Sequence, residues 1–223
     1  MSPIKLAVLL SAGGTTLQNL IDRIAAETLD AQIVLVVSNN EGAYGLRRAK
    51  NAGIPTLIVN RREAGSREEF SRRIFDACRS AGAELVCMAG FLQLIQIPDD
   101  FAGRVMNVHP ALIPAFCGQG FYGHHVHEGV LAYGAKISGC TIHFADNQYD
   151  HGPIILQRAI AVEEGDTAET LAHRLYFEEC EAYPEAVRLF AEGRLRVEGR
   201  RVHVAAPSYL MIDTVKGAEK PPG

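Results

Sequence analysis

Asn107, His109 and Asp150 are the residues whose types and spacing could do chemistry. Asn107 and His109 alternate in the short apolar run RVMNVHP, which reads as a strand, so both side chains leave the same face near the end of that strand. Asp150 lies in the turn-rich segment ADNQYDHGP, between two apolar strand patterns. The sequence therefore predicts a carboxylate on a loop that faces an imidazole and an amide at a strand end.

Such a trio suits an acyl-type reaction whose nucleophile belongs to a substrate. A nearby carboxylate favours the charged imidazole, and each donor aimed at a developing oxyanion can contribute about 3 kcal/mol. Cys117 and Ser138 are the nearest candidate nucleophiles, but neither lies in a G-x-S-x-G elbow. Taken singly, His109 could equally be a buried structural histidine and Asp150 a turn former.

A glycine-rich turn after the first predicted strand is a candidate anion site. The sequence SAGGTT at residues 11–16 leads into a helical pattern, and a helix N-terminus offers free N–H groups to a phosphate. The turn does not fit G-x-G-x-x-G, and the second strand ends in Ser-Asn-Asn instead of the acid that a dinucleotide site needs. We expect a phosphate here and no dinucleotide; alternatively, the glycines serve only a tight turn.

Alternating strand and helix patterns position these residues. Apolar runs followed by helical patterns predict β-α-β units in the first half, and residues 136–144 and 154–162 predict two further strands. A helix opened by Asp166 and Glu169 is expected to bend at Pro184. The predicted class is α/β: a three-layer sandwich with a Rossmann-like, mostly parallel twisted sheet and helices on both faces.

Composition bounds the class of protein. The chain has 223 residues, of which 48% are hydrophobic and 22% charged, and its net charge of −4 gives no reason to expect nucleic acid or an anionic membrane. Five cysteines without a C-x-x-C pair argue against a disulfide framework and favour a reduced cytoplasm. We expect one domain over residues 1–204 and a flexible C-terminal tail over residues 205–223.

Four motifs together resemble the folate-dependent formyltransferase superfamily. They are SAGGTTLQ at 11–18, NVHPALIP at 107–114, GCTIHF at 139–144 and DHGPIILQ at 150–157. Within that superfamily the chain is similar to the phosphoribosylglycinamide formyltransferases over about residues 4–200. The resemblance implies their fold. It also implies transfer of the formyl group of 10-formyltetrahydrofolate to the amine of 5'-phosphoribosylglycinamide in purine biosynthesis, without a metal.

The resemblance also implies a role for each matched residue. Asn107 and His109 would stabilise the oxyanion of the tetrahedral intermediate, while Asp150 would favour the charged histidine and relay a proton through water. The residues matched to the phosphate and ribose of the acceptor are Gly14, Thr15, Thr16 and Glu179. Those matched to the folate site are Arg67, Leu92, Gln93, Leu94, Ile95 and Asn107.

Three stretches depart from the family pattern. Thr15-Thr16 stands where Ser-Asn is common, which leaves the backbone donors unchanged, and Gln93 stands where an arginine is common, which removes a charged contact with folate. Residues 118–127 differ in length and composition. Their histidines at 124, 125 and 127 predict a solvated loop or a substrate contact and no metal site, because no acid or cysteine accompanies them at ligand spacing.

Other functions share these motifs in part. A formyltetrahydrofolate hydrolase attacks with water and usually carries an extra N-terminal domain, which we do not expect because the first strand begins at Ile4. A methionyl-tRNA formyltransferase needs a basic C-terminal RNA-binding domain, and the net charge of −4 disfavours this function. A sugar-amine formyltransferase would differ only in its acceptor pocket, and the intact trio disfavours a non-catalytic folate or phosphate sensor. The expected partners are two small-molecule substrates, with the chain as a monomer or homodimer.

Overall fold

The computed structural model describes residues 2–206, and most of the expected tail, from residue 207 onward, lies outside the described residues. The strands are β1 (Ile4–Leu10), β2 (Ala31–Ser38), β3 (Thr56–Ile58), β4 (Leu85–Met88), β5 (Val105–His109), β6 (Ile137–Phe144), β7 (Ile154–Ala161), β8 (Leu195–Glu198) and β9 (Arg201–Val204). The α-helices are α1 (Thr15–Ala25), α2 (Tyr44–Asn51), α3 (Arg67–Ser80), α4 (His124–Tyr133) and α5 (Ala168–Ala191).

All of these strands belong to one mixed sheet, with the order β3-β2-β1-β4-β5-β6-β7-β9-β8. The neighbours from β3 to β5 are parallel, whereas β6 runs antiparallel to both β5 and β7. The β8–β9 hairpin joins β7 through one parallel pair, Ile154 with Arg201. The chain reverses its direction across the sheet between β1 and β4, and ligands bind beside the carboxyl ends of strands at such a switch point.

Helices cover both faces of the sheet because β1 is apolar on both sides. Leu6 and Val8 belong to a core cluster that also holds Leu17 of α1 and residues of α5. Ala7 and Leu9, which alternate with them, belong to a second cluster with the apolar face of α3. The predicted α/β class and three-layer arrangement are confirmed.

Hydroxyl side chains cap the starts of α3 and α5. Ser66 caps α3, and its side chain accepts a hydrogen bond of 3.0 Å from the backbone N–H of Glu69. The predicted start of α5 was one residue early. Thr167 is its N-cap and exchanges hydrogen bonds with Thr170, because a hydroxyl at both positions can satisfy the free N–H groups reciprocally.

The histidines at 124, 125 and 127 do not lie in a solvated loop, which was one of the two alternatives that the sequence left open. His124, His125 and His127 lie in the first turn of α4, where Val126 and Val130 are buried one turn apart. The helix forms because these two valines supply an inward face and Gly134 ends it in the left-handed conformation. In residues 2–206 no helix is both long and apolar enough to cross a membrane.

Candidate active site

A cavity of about 640 Å³ opens at the carboxyl ends of β1, β4 and β5. Its volume lies within the range of small-molecule sites. The turn after β1, the loop after β4 and the end of β5 line it. The segment that enters α4, the loop before β7 and one side of α5 complete the wall. The predicted residues in its wall are Gly14, Thr15, Thr16, Leu92, Gln93, Leu94, Ile95, Asn107, His109, Asp150 and Glu179.

The structure brings Asn107, His109 and Asp150 together in this wall. Asn107 and His109 lie at the end of β5, and Asp150 approaches them from the loop between β6 and β7. Oδ2 of Asp150 lies 3.5 Å from Nδ1 of His109, and Oδ1 accepts a hydrogen bond of 3.4 Å from Nδ2 of Asn107. The two carboxylate oxygens therefore face the two predicted catalytic side chains.

His109 is almost completely enclosed, with 3% of its surface exposed. Its Nε2 lies 2.8 Å from the carbonyl oxygen of Phe116, an acceptor only, so Nε2 carries a hydrogen and donates it. Its Nδ1 faces the carboxylate of Asp150. Only the charged imidazole has a hydrogen for both acceptors.

Asp150 is held by its backbone conformation and by a hydrogen bond from a different loop. Its φ of 49° lies in the left-handed region, and Oδ2 accepts a hydrogen bond of 2.9 Å from the backbone N–H of Gly118. Two residues later only glycine fits, because a Cβ atom on Gly152 would lie 1.8 Å from the carbonyl oxygen of Phe144. The glycine of the D-x-G pattern is thus a steric requirement of this turn.

His143 completes the cluster, although the sequence did not single it out as a site residue. It lies opposite Asn107 in the β5–β6 register, and its Nε2 lies 3.2 Å from Nδ2 of Asn107. Its Nδ1 donates to the carbonyl oxygen of Phe144 at 2.9 Å, so Nε2 is the acceptor for Asn107. Burial lowers the pKa of His143, which favours this neutral ring. Only the strand register could have identified this pair.

The glycine turn after β1 also lines the cavity. Gly14 is the N-cap of α1 with φ of 68°, and a Cβ atom there would lie 2.7 Å from the Cα atom of Gly45. The first turn-closing backbone bond runs from the N–H of Gln18 to the carbonyl of Gly14. The N–H groups of Thr15 and Thr16 precede it, and they are the free donors of a helix N-terminus.

Glu179 enters the cavity wall from α5. Burial raises the pKa of its carboxyl group to about 7. Within residues 2–206 no side chain or backbone group forms a hydrogen bond with it. A partly buried carboxyl group without a protein partner is available to a ligand.

Comparison with known proteins identifies the family of this chain. The sequence model described as formyl transferase matches residues 4–187. The chain belongs to the formyl transferase family. Among solved structures, glycinamide ribonucleotide transformylase 1 from Symbiobacterium toebii is 41% identical, with a TM-score of 0.86, over 91% of this chain and 94% of that one.

Curated members of the formyl transferase family are also similar. A trifunctional purine biosynthetic protein adenosine-3 of Gallus gallus is 41% identical over 87% of this chain, but the chain spans only 19% of that protein's length. The chloroplastic phosphoribosylglycinamide formyltransferase of Arabidopsis thaliana is 37% identical over 86% of this chain and 67% of its own length.

The loop after β4, residues 92–95, lines the side where the family resemblance predicts folate. Hydrogen bonds attach this loop to its neighbours. The backbone N–H of Leu92 donates to Oγ of Ser11 at 3.0 Å, and shortly after the loop the N–H of Ile97 donates to Oδ1 of Asn147 at 2.8 Å. The second bond joins this loop to the loop of Asp150.

Arg67 is the one residue of the predicted formyl transferase site that does not line the cavity. It is exposed at the start of α3. One turn later, Oγ of Ser71 accepts a hydrogen bond of 2.8 Å from the backbone N–H of Gln96, so this end of α3 adjoins the loop after β4. The predicted contact of Arg67 with folate stays a prediction.

The remaining reactive side chains lie apart from the trio or lack activation. Neither Cys117 nor Ser138 lines the cavity, and burial raises the pKa of the Cys117 thiol. His127 does line the cavity; it is 4% exposed, and its Nδ1 has no hydrogen-bond partner among the described residues. No group of three or more potential metal ligands occurs within residues 2–206.

Proposed function

We propose that this chain transfers the formyl group of 10-formyltetrahydrofolate to the amine of 5'-phosphoribosylglycinamide. One observation carries the proposal: Asn107, His109 and Asp150 meet in the wall of one cavity that a helix N-terminus and the loop after β4 also line. Purine biosynthesis is the setting that the names of the relatives support. Residues 1–204 would form one formyltransferase unit.

The acceptor would bind between α1 and α5. Its phosphate would receive hydrogen bonds from the backbone at Gly14, Thr15 and Thr16, where the helix dipole favours an anion. Glu179, which has no protein partner among the described residues, would accept hydrogen bonds from the ribose hydroxyls. The glycyl amine would then extend along the wall towards the end of β5.

The folate co-substrate would lie against the loop after β4. Backbone groups of residues 92–95 would bind the pterin ring, and the partly exposed Leu92 and Leu94 supply apolar surface beside them. Gln93 offers hydrogen bonds without a charge. Arg67, at the neighbouring end of α3, would reach only a part of the folate that extends out of the cavity.

The attack of the acceptor amine on the formyl carbon forms a C–N bond and leaves negative charge on the formyl oxygen. We assign the stabilisation of that charge to His109 and Asn107, each contributing about 3 kcal/mol. In the structure the Nε2 hydrogen of His109 is directed at the Phe116 carbonyl. The carbonyl must withdraw for Nε2 to serve the substrate, and Asn107 must exchange its long contact with Asp150 for the oxyanion.

Asp150 would assist the proton transfer that completes the reaction. The attacking amine loses a proton, N10 of the folate gains one, and the bond between the formyl carbon and N10 breaks, which releases tetrahydrofolate and the formylated amine. The Asp150 carboxylate lies within reach of both His109 and Asn107, where it stabilises the charged imidazole and can accept a proton through water.

No protein nucleophile enters this scheme. Neither Cys117 nor Ser138 reaches the cavity, which supports direct attack by the substrate amine. The reaction needs no metal in this scheme, since side-chain donors take the role of a Lewis acid. We place it in the cytoplasm, in keeping with five free cysteines, and expect a monomer or homodimer.

A coupled assay tests the proposal. Purified protein should release tetrahydrofolate from 10-formyltetrahydrofolate only when phosphoribosylglycinamide is present, with one formylated amine for each folate consumed. Equal release without the acceptor would indicate a hydrolase. Transfer to an amino sugar but not to the glycinamide would indicate a sugar-amine formyltransferase, and binding of both molecules without turnover would indicate a sensor.

A further inference from the structure

His151, the residue after Asp150, is held between an acid and an arginine. Nη2 of Arg200 donates to the backbone carbonyl of His151 at 2.7 Å, and Nη1 lies 2.9 Å from Nε2 of its ring. On the other side of the ring, Nδ1 lies 2.7 Å from Oδ2 of Asp146. Because arginine only donates, Nε2 is the acceptor, and the hydrogen of the ring lies on Nδ1 and is donated to Asp146.

These contacts act on the backbone that aims Asp150. Residues other than glycine seldom adopt φ of 49°, although aspartate and asparagine tolerate it better than most, so the surroundings of Asp150 must hold this conformation. Arg200 fixes the carbonyl of the peptide that follows His151, and the ring bonded to Asp146 closes the loop from its other end. The Asp150 side chain therefore leaves a segment that is held at both sides.

Arg200 comes from a distant part of the chain. It lies in the turn between β8 and β9, and the next residue, Arg201, pairs with Ile154 of β7. This pair anchors the hairpin beside the start of β7, immediately after the loop of Asp150. The residues that match the formyl transferase family end at 187, so the hairpin lies beyond them.

We propose that Arg200 is a positioning residue for Asp150 and acts through His151. The inference rests on the proposed function, in which Asp150 assists proton transfer. An exposed pair of charges contributes little by itself. The contact between Arg200 and His151 differs from such a pair. One of the two hydrogen bonds from Arg200 goes to the backbone carbonyl of His151, and the other fixes the position of the hydrogen on the His151 ring.

The test compares Arg200→Ala with Arg196→Ala. Arg196 lies on the same hairpin, and its exposed side chain forms an ion pair with Glu198 at 3.2 Å, away from the loop. In the acceptor-dependent assay, Arg200→Ala should lower kcat about 10-fold, since a small displacement of a catalytic group is costly. The KM values of both substrates should stay within about twofold. Arg196→Ala should match the unaltered protein.

Two further variants separate positioning from general stabilisation. Arg200→Lys keeps the charge but replaces the planar pair of guanidinium nitrogens by one ammonium nitrogen, which matches the two acceptors less well, so its kcat should lie between those of the unaltered protein and Arg200→Ala. In a His151→Ala background the Arg200→Ala change should cost less than it does alone, because the two residues act on one loop. Hydrogen exchange of residues 145–152 should quicken in Arg200→Ala and stay unchanged in Arg196→Ala.

Each result decides a different question. The positioning role is overturned if Arg200→Ala equals Arg196→Ala in kcat and in loop exchange. It is also overturned if Arg200→Ala lowers only the melting temperature, with kcat of the folded protein unchanged. If the unaltered protein shows no acceptor-dependent transfer, the proposed function fails, whereas loop exchange still reports whether Arg200 holds the segment.

Discussion

Nδ1 of His109 lies 3.5 Å from Oδ2 of Asp150, while Nε2 of the same ring donates to the carbonyl of Phe116. The ring is thereby enclosed between a carboxylate and a backbone oxygen. This arrangement ties the chemistry proposed for β5 to the loop between β6 and β7.

Replacement of Asp150 by asparagine should remove the charge and leave the loop in place. Asparagine tolerates φ near 49°, and its side-chain oxygen can still accept the hydrogen bond from Gly118. We expect kcat to fall about 10²- to 10⁴-fold with little change in melting temperature. Asp99→Asn, on the exposed surface, is the matched control. A kcat within about threefold of the unaltered protein would remove Asp150 from the proposed mechanism.

Replacement of Gly14 by alanine should destabilise the fold. The new Cβ atom would lie 2.7 Å from the Cα atom of Gly45, and φ of 68° disfavours any side chain. We expect a loss of about 2 kcal/mol or more in the free energy of unfolding, measured by denaturant titration. Gly13→Ala is the control, because a Cβ atom there meets nothing within 4 Å. Equal stability of the two variants would contradict the tight contact between α1 and α2.

Replacement of Glu179 by glutamine should stabilise the protein at high pH. The pKa of Glu179 is raised from 4.5 to about 7, so the folded state holds the proton more tightly than the unfolded state. This group therefore lowers the stability of the protein as pH rises from about 4.5 to 7. At pH 8 the glutamine variant should gain up to about 3 kcal/mol, less where cavity water reaches the carboxylate.

Melting temperatures of both proteins at pH 4.5 and pH 8 check this prediction. The difference between them should be small at the lower pH and appear at the higher one. A constant difference across this range would show that the carboxyl group titrates normally. The KM for phosphoribosylglycinamide should rise in the same variant, which would separately support the proposed ribose contact.

Removal of metal ions should leave the transfer reaction unchanged. In the proposed scheme the donors for the oxyanion are Nε2 of His109 and Nδ2 of Asn107, so no Lewis acid is required. Protein dialysed against EDTA and assayed in metal-free buffer should retain its kcat. Loss of activity that returns on addition of zinc or magnesium would assign the role of a metal to this site.

Local sequence signals were enough for the element order and for placing Asn107, His109 and the glycine turn at strand ends. Apolar runs and helical spacing predicted the α/β class, and strand alternation correctly placed Asn107 and His109 on one face at the end of β5. Gly14 in the glycine turn and Gly152 in the D-x-G pattern meet steric needs of single turns, and a sequence pattern can show such needs. The predicted start of α5 at Asp166 differs by one residue from the observed N-cap, Thr167, which is the usual uncertainty at a helix end.

Other features followed only from packing between distant segments. His143 meets Asn107 because β6 runs antiparallel to β5 in one particular register, which no local pattern specifies. His127 is buried because α4 packs on α5, although His124 and His125 on the same helix are exposed. Arg200 reaches His151 because a hairpin attaches to β7.

The amino-acid sequence by itself determined which chemical groups are available and at which strand ends they stand, since periodicity and turn sterics act over a few residues. The tertiary structure alone decided which atoms face one another: which oxygen of Asp150 meets His109, where the ring hydrogens lie, and what supports the loop. Those contacts depend on strand register and on the docking of separate elements, which are set by the packing of the whole domain.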